Sequence, residues 1–281
     1  MNAPAWTDRL IEAALAEDIG AGDWTTLWTV GENVRATAAV VAKGDGVIAG
    51  IDVARAVFAA VDSRLDVVAL ASEGERVAPG AQVLRIEGTA RSILSAERVA
   101  LNFLQHLSGV ATLTRSYVDL VAGTGARILD TRKTMPGLRS LEKAAVRAGG
   151  GTNHRVGLFD MVLVKENHIA AAGGITAAVQ AVRRQNAAGL RVEVETTTLA
   201  QVDEALAAEV DVILLDNMAL PMLREAVARV RGSPRPVQTE ASGGVNLDTV
   251  RPIAECGVDL ISVGALTHSA SALDLSLLVA E

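Results

Sequence analysis

"LRVEVETTTLAQVDEALAAEVDVILLD", residues 190–216, decides the fold. Two short β-branched runs, LRVEVE and DVILLD, flank a helical stretch, and each run ends on an acid, Glu195 or Asp216. Strand, helix and strand in that order require parallel neighbours joined by a right-handed crossover. The same rhythm continues outward on both sides, in RILD (127–130), MVLVK (161–165), PVQTEAS (236–242) and DLISVG (259–264). Asp130, Lys165, Glu195, Asp216, Glu240 and Gly264 fall at or near the ends of these runs. In a (β/α) barrel the carboxyl edge is where the loops converge and chemistry is built. Six such units fall short of eight. The spacing therefore predicts an α/β protein whose C-terminal part is an incomplete barrel of about six to seven strands.

The first hundred residues have a different texture. TDRLIEAALAEDIG sets Leu10, Ile11, Ala14 and Leu15 on one helical face. VRATAAVVAKGDGVIAG reads as a strand, a Gly-Asp-Gly turn and a short apolar return. A helix at DVARAVFAAV precedes strands at LDVVAL and QVLRIEG, joined through the Pro79–Gly80 turn. This is an α+β pattern, with strands that read as antiparallel or mixed. Trp6, Trp24 and Trp28 read as packing anchors. A long helix over roughly 90–120 carries Ala100, Leu101, Leu104, Leu107 and Ala111 at helical spacing and bridges the two regions. The expected domains are 1–110 and 111–281, with the C-terminus able to pack back on the first.

Composition narrows the function. A net charge of -7 and a pI near 5.2 argue against a nucleic-acid binder. Three Trp, one Tyr and three Phe are too few for a base-stacking platform. The one cysteine, Cys256, excludes an intrachain disulfide framework and suits a reducing cytoplasm; in IAECGVDLIS it reads as a small core residue. The N-terminus has no basic, apolar leader, and no apolar run approaches the ~18 residues that cross a bilayer. A cytoplasmic protein is expected.

One segment runs against the acidic background. DTRKTMPGLRSLEKAAVRAGGGTNHR (130–155) holds Arg132, Lys133, Arg139, Lys143, Arg147 and Arg155, with His154 beside the last and only Asp130 and Glu142 opposing them. If the strand ends converge, cations at 132, 133, 155 and 165 meet the carboxylates of Glu195 and Asp216 and a glycine turn, ASGGV (241–245). Arginine forks and lysine point charges suit carboxylates and phosphates. Paired acids suit Mg²⁺ with substrate phosphates, or sugar hydroxyls. A Ser-Gly-Gly opening a helix offers backbone N–H groups to a phosphate. Against this, Arg139, Lys143 and Arg147 at i, i+4 spacing fit a solvated helix face, the better reading for Lys143. Asp130 could simply orient Arg132. His154 and His168, beside cation-rich strand ends, are better site candidates than His106 and His268.

The segment 130–169 resembles the signature of the quinolinate phosphoribosyltransferase family. The likeness continues through RVALNFLQHLSGVAT (98–112), VEVE (192–195), ILLDNM (213–218), EASGGV (240–245) and GVDLISVGALTHSA (257–270). The resemblance implies transfer of phosphoribose from phosphoribosyl pyrophosphate to quinolinate with loss of CO₂, Mg²⁺ as cofactor, and a dimer with the site at the subunit interface, open to further pairing into a hexamer. It also implies an N-terminal α/β open sandwich beside the incomplete C-terminal barrel, and roles for particular residues. Arg132, His154, Arg155 and Lys165 would bind quinolinate, Thr131 would bind substrate beside them, and Arg98 would reach the neighbouring subunit's site. Lys133 would meet the pyrophosphate. Glu195 and Asp216 would hold Mg²⁺ and the ribose hydroxyls. Ser242, Gly243, Gly244, Gly264 and Ala265 would cradle the 5'-phosphate. Lys133, Lys165, Glu195 and Asp216 would carry the catalysis. Met135, Ala148, Glu166 and Thr196 depart from the usual pattern, and none removes a charged ligand. Two rivals are a molybdate-transport-linked relative of the same fold and a non-catalytic binding protein. The first predicts a broken NHR or second basic position, the second a broken charge set; GGGTNHR (149–155) and VKENH (164–168) are intact.

Overall fold

The computed structural model describes residues 5–280. The chain forms two compact units. One comprises Met1–Arg115, Met135–Gly150 and Ser269–Glu281; the other comprises Ser116–Thr134 and Gly151–His268.

The first unit is built on strands β1 (Arg35–Ala42), β2 (Gly46–Val47), β3 (Asp66–Ala69), β4 (Arg76–Val77) and β5 (Gln82–Thr89). β1 is central, antiparallel to β5 on one side and to the C-terminal strand Leu275–Val279 on the other, with β3 outside β5. Alternation sets one face inward: Ala38, Val40 and Ala42 are buried, and Val40 sits opposite Leu277 and Leu84. The helix Ile51–Val61 buries Ile51, Val53, Ala54, Val57 and Phe58 in the same core. The expected apolar return after Gly46 does not pair back on β1; β2 pairs with β4, which the Pro-Gly turn follows.

The predicted long helix spans Ala90–Leu120, burying Ile93, Ala96, Ala100 and Leu104 against that core. The N-terminal helix is Ala5–Ile19, with Ile11 buried and Leu10, Ala14 and Leu15 packed beside it. Two tryptophans overturn the anchor reading. Trp24 and Trp28 are 52% and 79% exposed and lean on each other at 5.5 Å between ring centroids, one turn apart on the short helix Trp24–Thr29. The side chain of Trp6 lies outside the described residues.

The helix Arg139–Ala148 corrects a second expectation. It belongs to the first unit and buries Glu142, Lys143, Ala145 and Val146; Lys143 is 2% exposed, so its spacing does not mark a solvated face. The buried Glu142 accepts from His106 Nε2 (2.8 Å) and from the Met135 N–H (3.1 Å). The basic run of the sequence is thus divided: its two ends belong to the second unit and its middle to the first.

The second unit is a six-stranded, all-parallel sheet of β6 (Arg127–Leu129), β7 (Val162–Val164), β8 (Val192–Thr196), β9 (Val212–Asp216), β10 (Gln238–Ser242) and β11 (Leu260–Ser262). The spatial order is β6-β11-β10-β9-β8-β7. That is the cyclic order of a barrel lacking one seam, between β6 and β7, where Leu129 makes only an isolated parallel bridge to Thr152. The incomplete barrel is therefore as expected, with six strands. Val194, Ile213, Leu215 and Ile261 are fully buried. Leu129, Val212 and Leu260 form a separate small cluster. Cys256 is buried, and burial pushes its thiol up, in keeping with a core role. Among the described residues no helix is long and apolar enough to cross a membrane.

Candidate active site

A cavity of about 820 Å³ opens at the carboxyl ends of the six strands. That volume suits small-molecule substrates. Each strand end contributes. Thr131, Arg132 and Lys133 follow β6; Lys165 follows β7; Glu195 and Asp216 sit at the ends of β8 and β9. Ser242, Gly243 and Gly244 end β10, Gly264 and Ala265 follow β11, and His154 and Arg155 enter from the open seam. Every substrate-binding or catalytic residue that the resemblance implies lines this cavity except Arg98, which is exposed on the long helix of the first unit; the candidate His168 does not line it. Arg139, Lys143 and Arg147 do not line it.

The electrostatics are those of a site awaiting an anion. Burial pushes the Arg155 guanidinium down, and the neighbouring Arg132 cation adds to that direction. Two guanidinium groups lining one cavity favour an anion between them. Lys165 Nζ pairs with Glu195 Oε2 at 3.2 Å. Asp216 Oδ2 accepts from Asn217 Nδ2 at 2.8 Å. The Lys133 backbone is pinned at both ends: its N–H donates to Thr131 Oγ1 (3.0 Å) and its carbonyl accepts from Thr267 Oγ1 (2.8 Å). Gly264 gives the Lys133 side chain room, since a Cβ there would stand 3.1 Å from Lys133 Cδ and 3.2 Å from His268 Nε2.

Beneath these groups lies a charge cluster that the sequence reading missed. His154 Nε2 is 3.0 Å from Glu193 Oε2 and 3.5 Å from Glu240 Oε2, and both carboxylates are buried inside the barrel. Ser262 Oγ donates to the other oxygen of Glu240. Burial alone would lower the His154 imidazole, but the hydrogen bonds to Glu193 and Glu240 outweigh it and hold it at about 9. Burial likewise lifts Glu193 to about 7 against the pull of His154. His154 Nδ1 accepts from the Arg155 N–H at 2.8 Å, a bond that lasts only while Nδ1 is bare. The extra proton is shared among His154, Glu193 and Glu240, so the titration belongs to the cluster and not to one member. Both ring nitrogens are thus engaged within the protein. The only hint in the sequence was that Glu193 and Glu240 alternate in step with Glu195 and Ser242.

Other candidates resolve differently. Asp130 is buried and anchors the turn before Arg155, accepting from the His154 N–H (2.8 Å) and from Asn153 Nδ2. His168 is exposed and caps a helix, its Nδ1 accepting from the Lys165 N–H at 3.0 Å. His268, thought a background residue, lines the cavity. Ser242-Gly243-Gly244 does not open a helix, because the next helix begins at Val250; two consecutive glycines at φ 93° and 60° make a left-handed turn instead.

A seamed parallel barrel whose rim sets four cations against two carboxylates and a glycine turn defines an enzyme acting on polyanionic small molecules. Two family models match the chain in succession: quinolinate phosphoribosyl transferase, N-terminal domain, over residues 23–108, and the C-terminal domain over 110–278. The chain belongs to the quinolinate phosphoribosyltransferase family. It is 49% identical to the carboxylating, chloroplastic nicotinate-nucleotide pyrophosphorylase of Oryza sativa subsp. japonica, covering 95% of this chain and 76% of that protein. A probable carboxylating nicotinate-nucleotide pyrophosphorylase of Synechocystis sp. is 46% identical over 98% of this chain and 93% of its own length. The solved structure of the nicotinate-nucleotide pyrophosphorylase from Francisella tularensis superposes with a TM-score of 0.95 at 41% identity, covering 99% of this chain and 98% of that one.

Proposed function

We infer that this chain transfers phosphoribose from phosphoribosyl pyrophosphate to the ring nitrogen of quinolinate and releases CO₂, giving nicotinate mononucleotide and pyrophosphate for de novo NAD synthesis. The observation that carries the reading is one cavity facing Arg132, Lys133, Arg155 and Lys165 on one hand and Glu195 and Asp216 on the other. Quinolinate brings two carboxylates, and the sugar donor brings a phosphate and a pyrophosphate. The placing of Arg132 and Arg155 on one cavity supports their assignment to the diacid, with Thr131, His154 and Lys165 beside it. Because both nitrogens of His154 are engaged, its part is to fix the Arg155 backbone and shape the floor.

The ring nitrogen attacks the anomeric carbon as the bond to pyrophosphate breaks, and positive charge grows on the ribose. Glu195 and Asp216 stand opposite that charge, and Lys133 meets the leaving pyrophosphate. The alkylated pyridinium then accepts the electron pair freed when the C2 carboxylate leaves as CO₂, and a proton closes the ring carbon. No covalent nucleophile is needed; catalysis is positioning and preorganised charge. Ser242, Gly243, Gly244, Gly264 and Ala265 take the 5'-phosphate.

The acids also fit Mg²⁺. Glu195 and Asp216 are hard oxygen donors on neighbouring strands, and each has one oxygen engaged (by Lys165 or Asn217) and a second that accepts no hydrogen bond among the described residues. Bound there, the ion would neutralise phosphate charge. The reading includes a homodimer in which Arg98 completes the neighbouring site, and a cytoplasmic setting, which the single buried thiol suits.

Incubation with quinolinate, phosphoribosyl pyrophosphate and Mg²⁺ should yield CO₂ and nicotinate mononucleotide, whereas nicotinate should not serve as acceptor. Arg132→Ala and Arg155→Ala should each lose at least ~100-fold in kcat/KM, since each leaves buried substrate charge unpaired. Full activity in both variants would refute the assignment.

A further inference from the structure

Asn217 is held at φ 54°, the left-handed region, and among the described residues lining the cavity it is the one non-glycine so placed. Asparagine enters that region more readily than most residues, but glycine does so without steric cost. A turn that needed only this backbone would be served by glycine, so the side chain calls for a reason of its own. It has two engagements. Its Nδ2 donates to Asp216 Oδ2 at 2.8 Å, and its amide lies over Gly243 so closely that a Cβ there would collide with the amide oxygen, carbon and nitrogen alike. Its backbone N–H meanwhile donates to the Ser242 carbonyl at 2.9 Å, tying the end of β9 to the end of β10. One neutral side chain therefore spans the gap between the Asp216 carboxylate and the glycine turn.

We propose that Asn217 is a positioning residue for the sugar donor: it fixes the rotation of the Asp216 carboxylate and the distance from that carboxylate to the Gly243–Gly244 turn. The inference rests on the reading above, in which Asp216 meets the ribose and the turn meets the 5'-phosphate of the same molecule. Two groups that hold opposite ends of one bound substrate set its conformation through their separation, and small misplacement is costly in rate. A lysine or arginine in this place would also bridge, but would cancel the negative charge that the carboxylate offers to the developing ribosyl cation. The amide orients without neutralising. Gly243, itself at φ 93°, is then glycine for a second reason, because the space its side chain would fill belongs to Asn217.

The test compares wild type with Asn217→Gly, Asn217→Asp, Gly243→Ala and the Asn217→Gly/Gly243→Ala pair. Asn217→Gly keeps and relaxes the turn, so a purely structural role predicts unchanged kinetics. Positioning predicts a fall of about tenfold to a hundredfold in kcat/KM for phosphoribosyl pyrophosphate, the range for a lost hydrogen bond to a charged group. Quinolinate affinity by titration calorimetry should stay within about twofold, because the diacid cations are untouched. Asn217→Asp keeps shape and turn tolerance but sets an acceptor against an acceptor, and should lose at least as much. Either variant turning over like wild type overturns the proposal. Denaturant unfolding of the four forms reads the Asn217–Gly243 spacing without substrate: the pair should lose less stability than the sum of the singles, and additivity would overturn it. An inactive wild type would instead sink the assigned reaction.

Discussion

Glu240→Gln probes the charge cluster beneath the cavity. Glu240 is 2% exposed, with Oε2 3.5 Å from His154 Nε2, while Glu193 stands at 3.0 Å. The imidazole is raised from 6.5 to about 9 in the fold, burial being outweighed by its bonds to Glu193 and Glu240. A raised value means that the folded chain keeps a proton after the unfolded chain has released it. The stabilisation is fully present below pH 6.5 and is lost as pH rises through about 9. At about 1.4 kcal/mol per pH unit, its size across that window is on the order of 3 kcal/mol. Glu193, pushed up to about 7 by burial, gives a slope of the same sign at lower pH. Glutamine keeps the shape of Glu240 and an acceptor for Ser262 but removes one of the two charges holding the proton. Unfolding by urea, followed by circular dichroism at pH 6, 7, 8 and 9, should show the wild type losing stability steadily above 6.5. The variant should be less stable at pH 6 and should lose about half as much by pH 9, so that the two converge there. A wild type whose stability is flat from 6.5 to 9, or a variant that loses as much as wild type across that range, would refute the cluster account.

Phe58→Ala empties a fully buried position in the first unit's core and should cost about 3–5 kcal/mol in denaturant unfolding. Trp28→Ser, by contrast, changes a side chain that is 79% exposed, and should leave unfolding of the isolated chain within about 0.5 kcal/mol of wild type; a larger loss would restore the anchor reading.

The parallel architecture was legible because each strand of the second unit is a short run bounded by a polar residue, and a run of that kind between helices has few other solutions. The helix Ala90–Leu120 was legible for the opposite reason: nothing interrupts its periodicity over 31 residues. The burial of the Arg139–Ala148 helix was not. Its charges fall at surface spacing, and only the packing of Leu138 and Leu141 against the first unit's core turns Glu142 and Lys143 inward. Trp24 and Trp28 misled because size predicts burial only where a core is within reach, and their six-residue helix buries Thr26 alone. The Ser-Gly-Gly turn misled because left-handed glycines end a strand as readily as they open a helix.

The hardest distinction lies inside VEVE. In a sheet with one wet face, alternating valine and glutamate means that the acids meet water. Here the valines face the outer layer, and both acids point into the barrel, so the pattern alone makes Glu193 and Glu195 equivalent. Register separates them. Glu195 stands opposite Leu214 and Glu193 opposite Val212, two residues or about 6.6 Å deeper along the strand. At the shallower level Glu195 meets Lys165 and the cavity; at the deeper level Glu193 is fully buried and meets His154. One glutamate can thus serve a ligand while its twin serves a protein cation, with no difference in local sequence to tell them apart. The choice is made by the neighbouring strand, through hydrogen bonds that fix how far β8 is drawn into the barrel. A substitution that shifted β8 against β9 by two residues would place Glu193 at the rim and Arg191 at the floor, leaving His154 without its closest partner. Site chemistry in this protein is therefore written in residue type along the strand, but its assignment to rim or floor is written in the pairing between strands.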